Sequence, residues 1–217
     1  KYFFGGGDLI AYHNHGARVS QILYADFFAQ APDFFIYLIG QDTGRRLFFE
    51  QSSTGSMMAV SAWLHYPMRG SLYGKCMLIA LLGIPSKYLI YKGMSSFFST
   101  HAHRMILIAC MLLPSTVFWT SGMLKEPMAM LGMGPLVYGT SLLIHGKMRL
   151  RGLLFTAFGG FIISIFKAYI LFPWIVAAML CFYWHRQVSR GKRPGLLSNP
   201  IYLVVVLVLS VGGITAL

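Results

Sequence analysis

Lys125 and Glu126 close the stretch Leu113-Pro-Ser-Thr-Val-Phe-Trp-Thr-Ser-Gly-Met-Leu-Lys-Glu126 and are followed by Pro127. Proline is best tolerated in the first turn of a helix, where its missing N–H costs least. A helix therefore starts here, after an aromatic Trp119 and a Ser121-Gly122 turn, with Glu126 at the positive end of its dipole. Lys125 at that end is unfavourable. It implies either an anionic partner or a plain charge pair at a helix start. Lys167 interrupts an otherwise uncharged run, residues 152–184. An ionisable group so placed either marks a functional site, with Glu126 its nearest candidate partner, or snorkels from a turn. Asp8 follows Gly5-Gly-Gly, whose backbone freedom suits an unusual approach. It reads as a base or metal ligand, or equally as a helix N-cap.

Other constellations are weaker. Histidines 13 and 15, and 101 and 103, form two His-x-His pairs, but zinc needs three or four ligands and none is spaced to complete a set. No metal site is assigned, and a divalent ion enters only as an option at Asp8. His65, His145 and His185 fall at span ends. Cys76, Cys110 and Cys181 lie in apolar runs, an odd number that suggests packing rather than disulfides. No P-loop, dinucleotide fingerprint or Ser-His-Asp spacing is present.

The elements that must position these residues follow from composition. Of 217 residues 56% are apolar and 11% charged, against about 25% charged in soluble domains, and the mean hydropathy is +0.62. Such a surface cannot be solvated, and disorder needs the opposite composition. The chain reads as all-α, a polytopic transmembrane helical bundle of about six spans. Residues 1–53 form an external juxtamembrane segment and 54–217 the transmembrane domain. Within it 54–68 is interfacial and spans fall near 72–91, 104–122, 126–144, 152–168, 170–185 and 196–217, each close to the ~20 residues that cross a bilayer. Lys75 and Lys87 sit near the ends of the first span, placed to snorkel. The last two spans before 196–217 form a hairpin turning near 167–173. The sequence opens at Lys1 without Met and ends in an apolar stretch, as expected of part of a longer chain.

Net charge is +12, but its distribution speaks for topology, not nucleic acid. Five of the six acids precede residue 51, and Glu126 is the sixth. Lysines and arginines concentrate in the loops at 87–104, 145–151 and 185–193, which the positive-inside rule makes cytoplasmic. The protein is thus expected in the cytoplasmic (inner) membrane, with Asp8, Lys125, Glu126 and Lys167 together on the outer side. The first 53 residues are rich in paired aromatics. A helical apolar face runs over 17–31 through Val19, Ile22, Leu23 and Phe27, and Asp42-Thr-Gly reads as a turn.

Gly6-Gly-Asp8 with Tyr12, then the 113–126 stretch, then Lys167 with Tyr169 form a pattern. It resembles polytopic proteins of bacterial polysaccharide gene clusters that are similar to GT-C-type membrane glycosyltransferases. That resemblance implies a sugar donor on a polyprenyl phosphate, chemistry at the outer face and an acidic base in the first external loop. By position Asp8 would be the base, and Lys125 and Lys167 would bind the lipid-linked phosphate. Glu126 would orient Lys125, with Tyr12 and Tyr169 beside the substrate. Two features depart from the family pattern. Lys167-Ala-Tyr169 stands where Arg-Pro-Tyr is usual, which keeps a point charge but loses a bidentate fork, and the span expected before the Gly-Gly-Asp loop is absent. The partners implied are membrane lipids and the lipid-linked sugar, with other membrane subunits as an option. A non-catalytic subunit of a larger membrane assembly is the alternative, and a transporter a third class, for which Pro135 is the one candidate helix break.

Overall fold

Tyr12, Gly16, Val19 and Leu23 recur at the spacing of one helix face, and with Ser20 they are the residues that helix α1, Asp8–Ala25, buries. A computed structural model describes residues 8–39, 53–146 and 148–189. Among these the fold is entirely helical, without a strand. The expected helix over 17–31 is broken at Asp26, which leaves helical geometry and accepts from the Ala29 N–H at 3.3 Å. This cap outweighs the continuous apolar stripe and starts α2, Phe27–Leu38.

Helix α3, Ser53–His65, differs from the surface-lying helix expected at 54–68. Ser56, Met57, Ala59, Ser61 and Ala62 are fully buried, because small residues let α1 approach closely. A Cβ on Gly16 would lie 2.2 Å from the Ser61 Oγ. The turn after α3 carries Arg69 and Gly70 at positive φ, and the Gly70 N–H returns to the His65 carbonyl at 2.8 Å. Ser71 then caps α4, Leu72–Ser95. Lys75 and Lys87 do not snorkel. They are 0% and 7% exposed, held inside the bundle.

The expected span at 104–122 divides into α5, Thr100–Leu112, and α6, Pro114–Thr120. The residue before a proline is pushed out of the helical region, and Leu113 sits at φ −57°, ψ 127°. Helices α7, Lys125–Ile144, and α8, Arg149–Lys167, match their expected spans within three residues. They pack antiparallel through glycines. A Cβ at Gly132 would meet the Gly159 carbonyl at 2.8 Å, and one at Gly139 the Gly152 carbonyl at 2.7 Å. Helix α4 lies along the other side of α7. Pro135 cannot donate to the Leu131 carbonyl four residues back. Ser86 Oγ of α4 donates to the neighbouring Met130 carbonyl, lies 3.4 Å from that of Leu131, and accepts from the Gly134 N–H at 3.1 Å. The backbone group released by the proline thus has a polar neighbour.

After α8 the chain turns through a 3-10 segment, Ala168–Ile170, into α9, Leu171–Ser189. His185 returns to His145 at the far end of α7, with ring centroids 4.8 Å apart, so α8 and α9 form the expected hairpin. Among the described residues two stretches are long and apolar enough to cross a bilayer: Lys125–Ile144, largely buried, and Arg149–Ser189, largely exposed. The glycines at 5–7, the Asp42 turn and the span at 196–217 lie outside the described residues.

Candidate functional site

Helix α7 begins at Lys125 with Glu126 in its first turn, and α8 ends at Lys167. Antiparallel packing therefore brings these termini together. Lys167 Nζ donates to Glu126 Oε1 at 2.6 Å, joining residues 41 apart in sequence. The carboxylate that was expected to orient Lys125 is thus hydrogen-bonded to Lys167. Lys125 instead donates to Thr54 Oγ1 on α3, at 2.8 Å. Lys167 departs from helical backbone geometry, φ −151° and ψ 64°, which places Tyr169 at the turn with its ring centroid 6.0 Å from the Nζ. Tyr169 is exposed.

Tyr12 and Leu9 of α1 belong to the apolar cluster that contains Met123, Leu124, Met128 and Phe166. The first turn of α1, with Asp8 exposed at its start, therefore shares a cluster with the residues flanking Lys125, Glu126 and Lys167. Lys125, Glu126, Lys167 and Tyr169 are gathered around one end of the α7–α8 pair, whereas Asp8 and Tyr12 lie on α1, which packs mainly on α3. Lys92, Arg149, Arg151 and Arg186 are at or near the other ends of their helices.

Among the described residues, two of the cavities stand out. One, about 350 Å³, is almost wholly apolar. It lies between α2, α3, α4 and α7, with Phe34, Trp63, Leu64, Ile79, Met128 and Leu131 in its wall. Met128 is one turn from Lys125 on the same helix face. The other, about 790 Å³, lies between the C-terminal parts of α4 and α7 and the inner side of α9. Neither has Asp8, Lys125 or Lys167 in its wall.

A second polar cluster was not foreseen. Lys75 Nζ, fully buried, lies 3.1 Å from Ser61 Oγ and 3.0 Å from His65 Nδ1. The His13 ring stands 5.9 Å from that of His65, and its buried Nδ1 makes no hydrogen bond among the described residues. Burial, and then the nearby Lys75, holds the pKa of both histidines below the ordinary value. Their mutual proximity adds to the effect on His65. Sequence reading assigned His13 to a His-x-His pair, His65 to a span end and Lys75 to snorkelling. The available signal was Lys75 itself, an amine within a span. The other pair is remote: His103 donates to the Ser95 carbonyl at the opposite end of α4.

No three His, Cys, Asp or Glu side chains converge on a common point among the described residues. Cys76 and Cys110 are half-buried and Cys181 is exposed, all as free thiols. Comparison with family models, curated proteins and solved structures finds no match to this chain.

Proposed function

We propose that the chain is a six-span protein of the cytoplasmic membrane that transfers sugar from a polyprenyl-phosphate donor at the outer face, in cell-surface polysaccharide synthesis. One observation carries this reading: an apolar cavity of about 350 Å³ has Met128 in its wall, one turn from Lys125 on α7. A lipid phosphate needs that combination, a slot for its hydrocarbon next to cations for its head. Lys125 and Lys167 would hold the phosphate, and Glu126 would orient Lys167, its hydrogen-bond partner. Asp8, exposed at the start of α1, would take the proton of the acceptor hydroxyl. The acceptor oxygen attacks the anomeric carbon, the bond from that carbon to the phosphate oxygen breaks, and the lysines stabilise the departing phosphate. Asp8→Asn and Lys125→Ala abolish glycan product while membrane protein level and melting temperature stay near wild type. Normal product from both variants would sink the idea.

A second reading, a non-catalytic subunit of a membrane assembly, is favoured by a different observation. Lys167 is already paired with Glu126, and neither described cavity is bounded by Asp8, Lys125 or Lys167. On this reading the same variants leave glycan output intact, and replacing Lys167 lowers only stability.

A further inference from the structure

The larger cavity, about 790 Å³, is the least explained feature of the bundle. Its chemistry is graded along its length. At one end it is bounded by the His145–His185 ring pair and by Ser96 and Ser141, whose hydroxyls are 2.6 Å apart. His145 Nδ1–H is committed to the Ser141 carbonyl at 2.8 Å, which leaves its other ring nitrogen for the cavity side. Toward the other end the wall is Trp174, Ala177, Ala178 and Val137. Along α9 the lining runs from Trp174 to Val188, a rise of about 21 Å at 1.5 Å per residue. That exceeds the ~15 Å that one leaflet occupies in a ~30 Å hydrocarbon core.

Charge is graded in the same direction. Lys92 lies in the last turn of α4, Arg149 and Arg151 begin α8, and Arg186 follows His185 on α9, so the bases fall at the same end of their helices as His145 and His185, outside the cavity wall itself. No acid is found anywhere after Glu126, which lies at the opposite end of α7. A pocket between helices with a basic rim on the cytoplasmic side suits an anionic lipid headgroup.

We infer that this cavity is a binding site for one anionic phospholipid of the cytoplasmic leaflet. The headgroup phosphate sits at His185, Arg186 and Arg149, and an acyl chain lies along α9 toward Trp174. The inference rests on the membrane reading above but not on sugar transfer, since it uses none of the outer-end residues. It also accounts for the slight burial of Arg149–Ser189, because a lipid completes the packing that the described residues leave open.

The test is native mass spectrometry of the full chain, released in mild detergent from vesicles of equal parts phosphatidylglycerol and phosphatidylcholine. Wild type retains one phosphatidylglycerol per chain, at least tenfold over phosphatidylcholine. Ala178→Trp, which fills the apolar end, loses that lipid. The double variant Arg149→Gln/Arg186→Gln keeps the fold but loses the headgroup preference by about tenfold, so the outcome does not depend on Ala178→Trp folding well. Lys125→Ala retains the lipid, which separates this site from the one proposed for sugar transfer. Equal retention of the two lipids by wild type would overturn the inference. So would full phosphatidylglycerol retention by both groove variants, the result expected if another part of the chain fills the cavity.

Discussion

Lys75 and His65 cannot both carry a proton at the Nζ–Nδ1 contact of 3.0 Å without opposing each other. Two histidines held below the ordinary value of 6.5 make folding sensitive to acid. Above pH ~6.5 both are neutral folded and unfolded, and their full contribution to stability is present. As pH falls through and below that value the unfolded chain takes up protons that the folded site refuses, and stability is lost. The melting temperature should therefore fall between pH 7 and pH 5. Lys75→Met, which removes the cation yet keeps the stem, should shrink that fall, and His65→Gln should shrink it further. A melting temperature flat across this range in wild type would show that the cluster does not titrate. Only Lys75, an amine within a span, was a signal in the sequence, since His13 and His65 come from two other helices and packing alone unites the three. Glu126 with Lys167 was legible, because one acid among so many bases leaves few alternatives.

Single elements show which local rules prevail. The boundaries of α7 and α8 could be read to within three residues from apolar runs with charges only near their ends, whereas α4 and α9 each run four residues past the expected end. The split of 104–122 was missed because hydropathy is blind to the conformational restriction that Pro114 places on Leu113. The burial of α3 was missed for a related reason: Ser56, Ser61 and the alanines look weakly apolar, but their small size allows tight packing. Two experiments address packing at this level. Gly159→Ala places a Cβ 2.5 Å from backbone atoms of Gly132 and Leu136, so it should cost about 1–3 kcal/mol. Gly160→Ala meets nothing within 4 Å and should be neutral or stabilising by up to ~1 kcal/mol. Similar losses for both would remove the glycine contact as the cause. Ser86→Ala should cost about 1 kcal/mol by withdrawing the hydroxyl beside Met130 and Leu131. In a double-mutant cycle Pro135→Ala should offset part of that loss by restoring the helical N–H. Strict additivity would refute the coupling.

For the whole molecule, α4 and α7 run in one direction. Ser86 lies at Met130, Gly93 at Tyr138 and Ser96 at Ser141. Helices α8 and α9 then alternate, so one end carries Lys125, Glu126 and Lys167 and the other the basic termini. In a background without native cysteines, Ser121→Cys should react with a membrane-impermeant maleimide added to intact cells, and Met148→Cys only after permeabilisation. Labelling of both from the same side would reverse or abolish the proposed topology.

The glycine seam between α7 and α8 has a consequence for the order in which the molecule assembles. The two helices are joined by residues 145–148 alone, so their contacts close a short loop and cost little chain entropy. They can pair as soon as both have been synthesised. Because Pro135 interrupts the backbone ladder, the finished hairpin presents an open acceptor near Leu131 on its flank. Ser86 is the group that meets it, so α4 docks on a partner that already specifies its register. A chain lacking the proline would form the same hairpin and lose that guide, slowing the arrival of α4 more than it weakens the final fold.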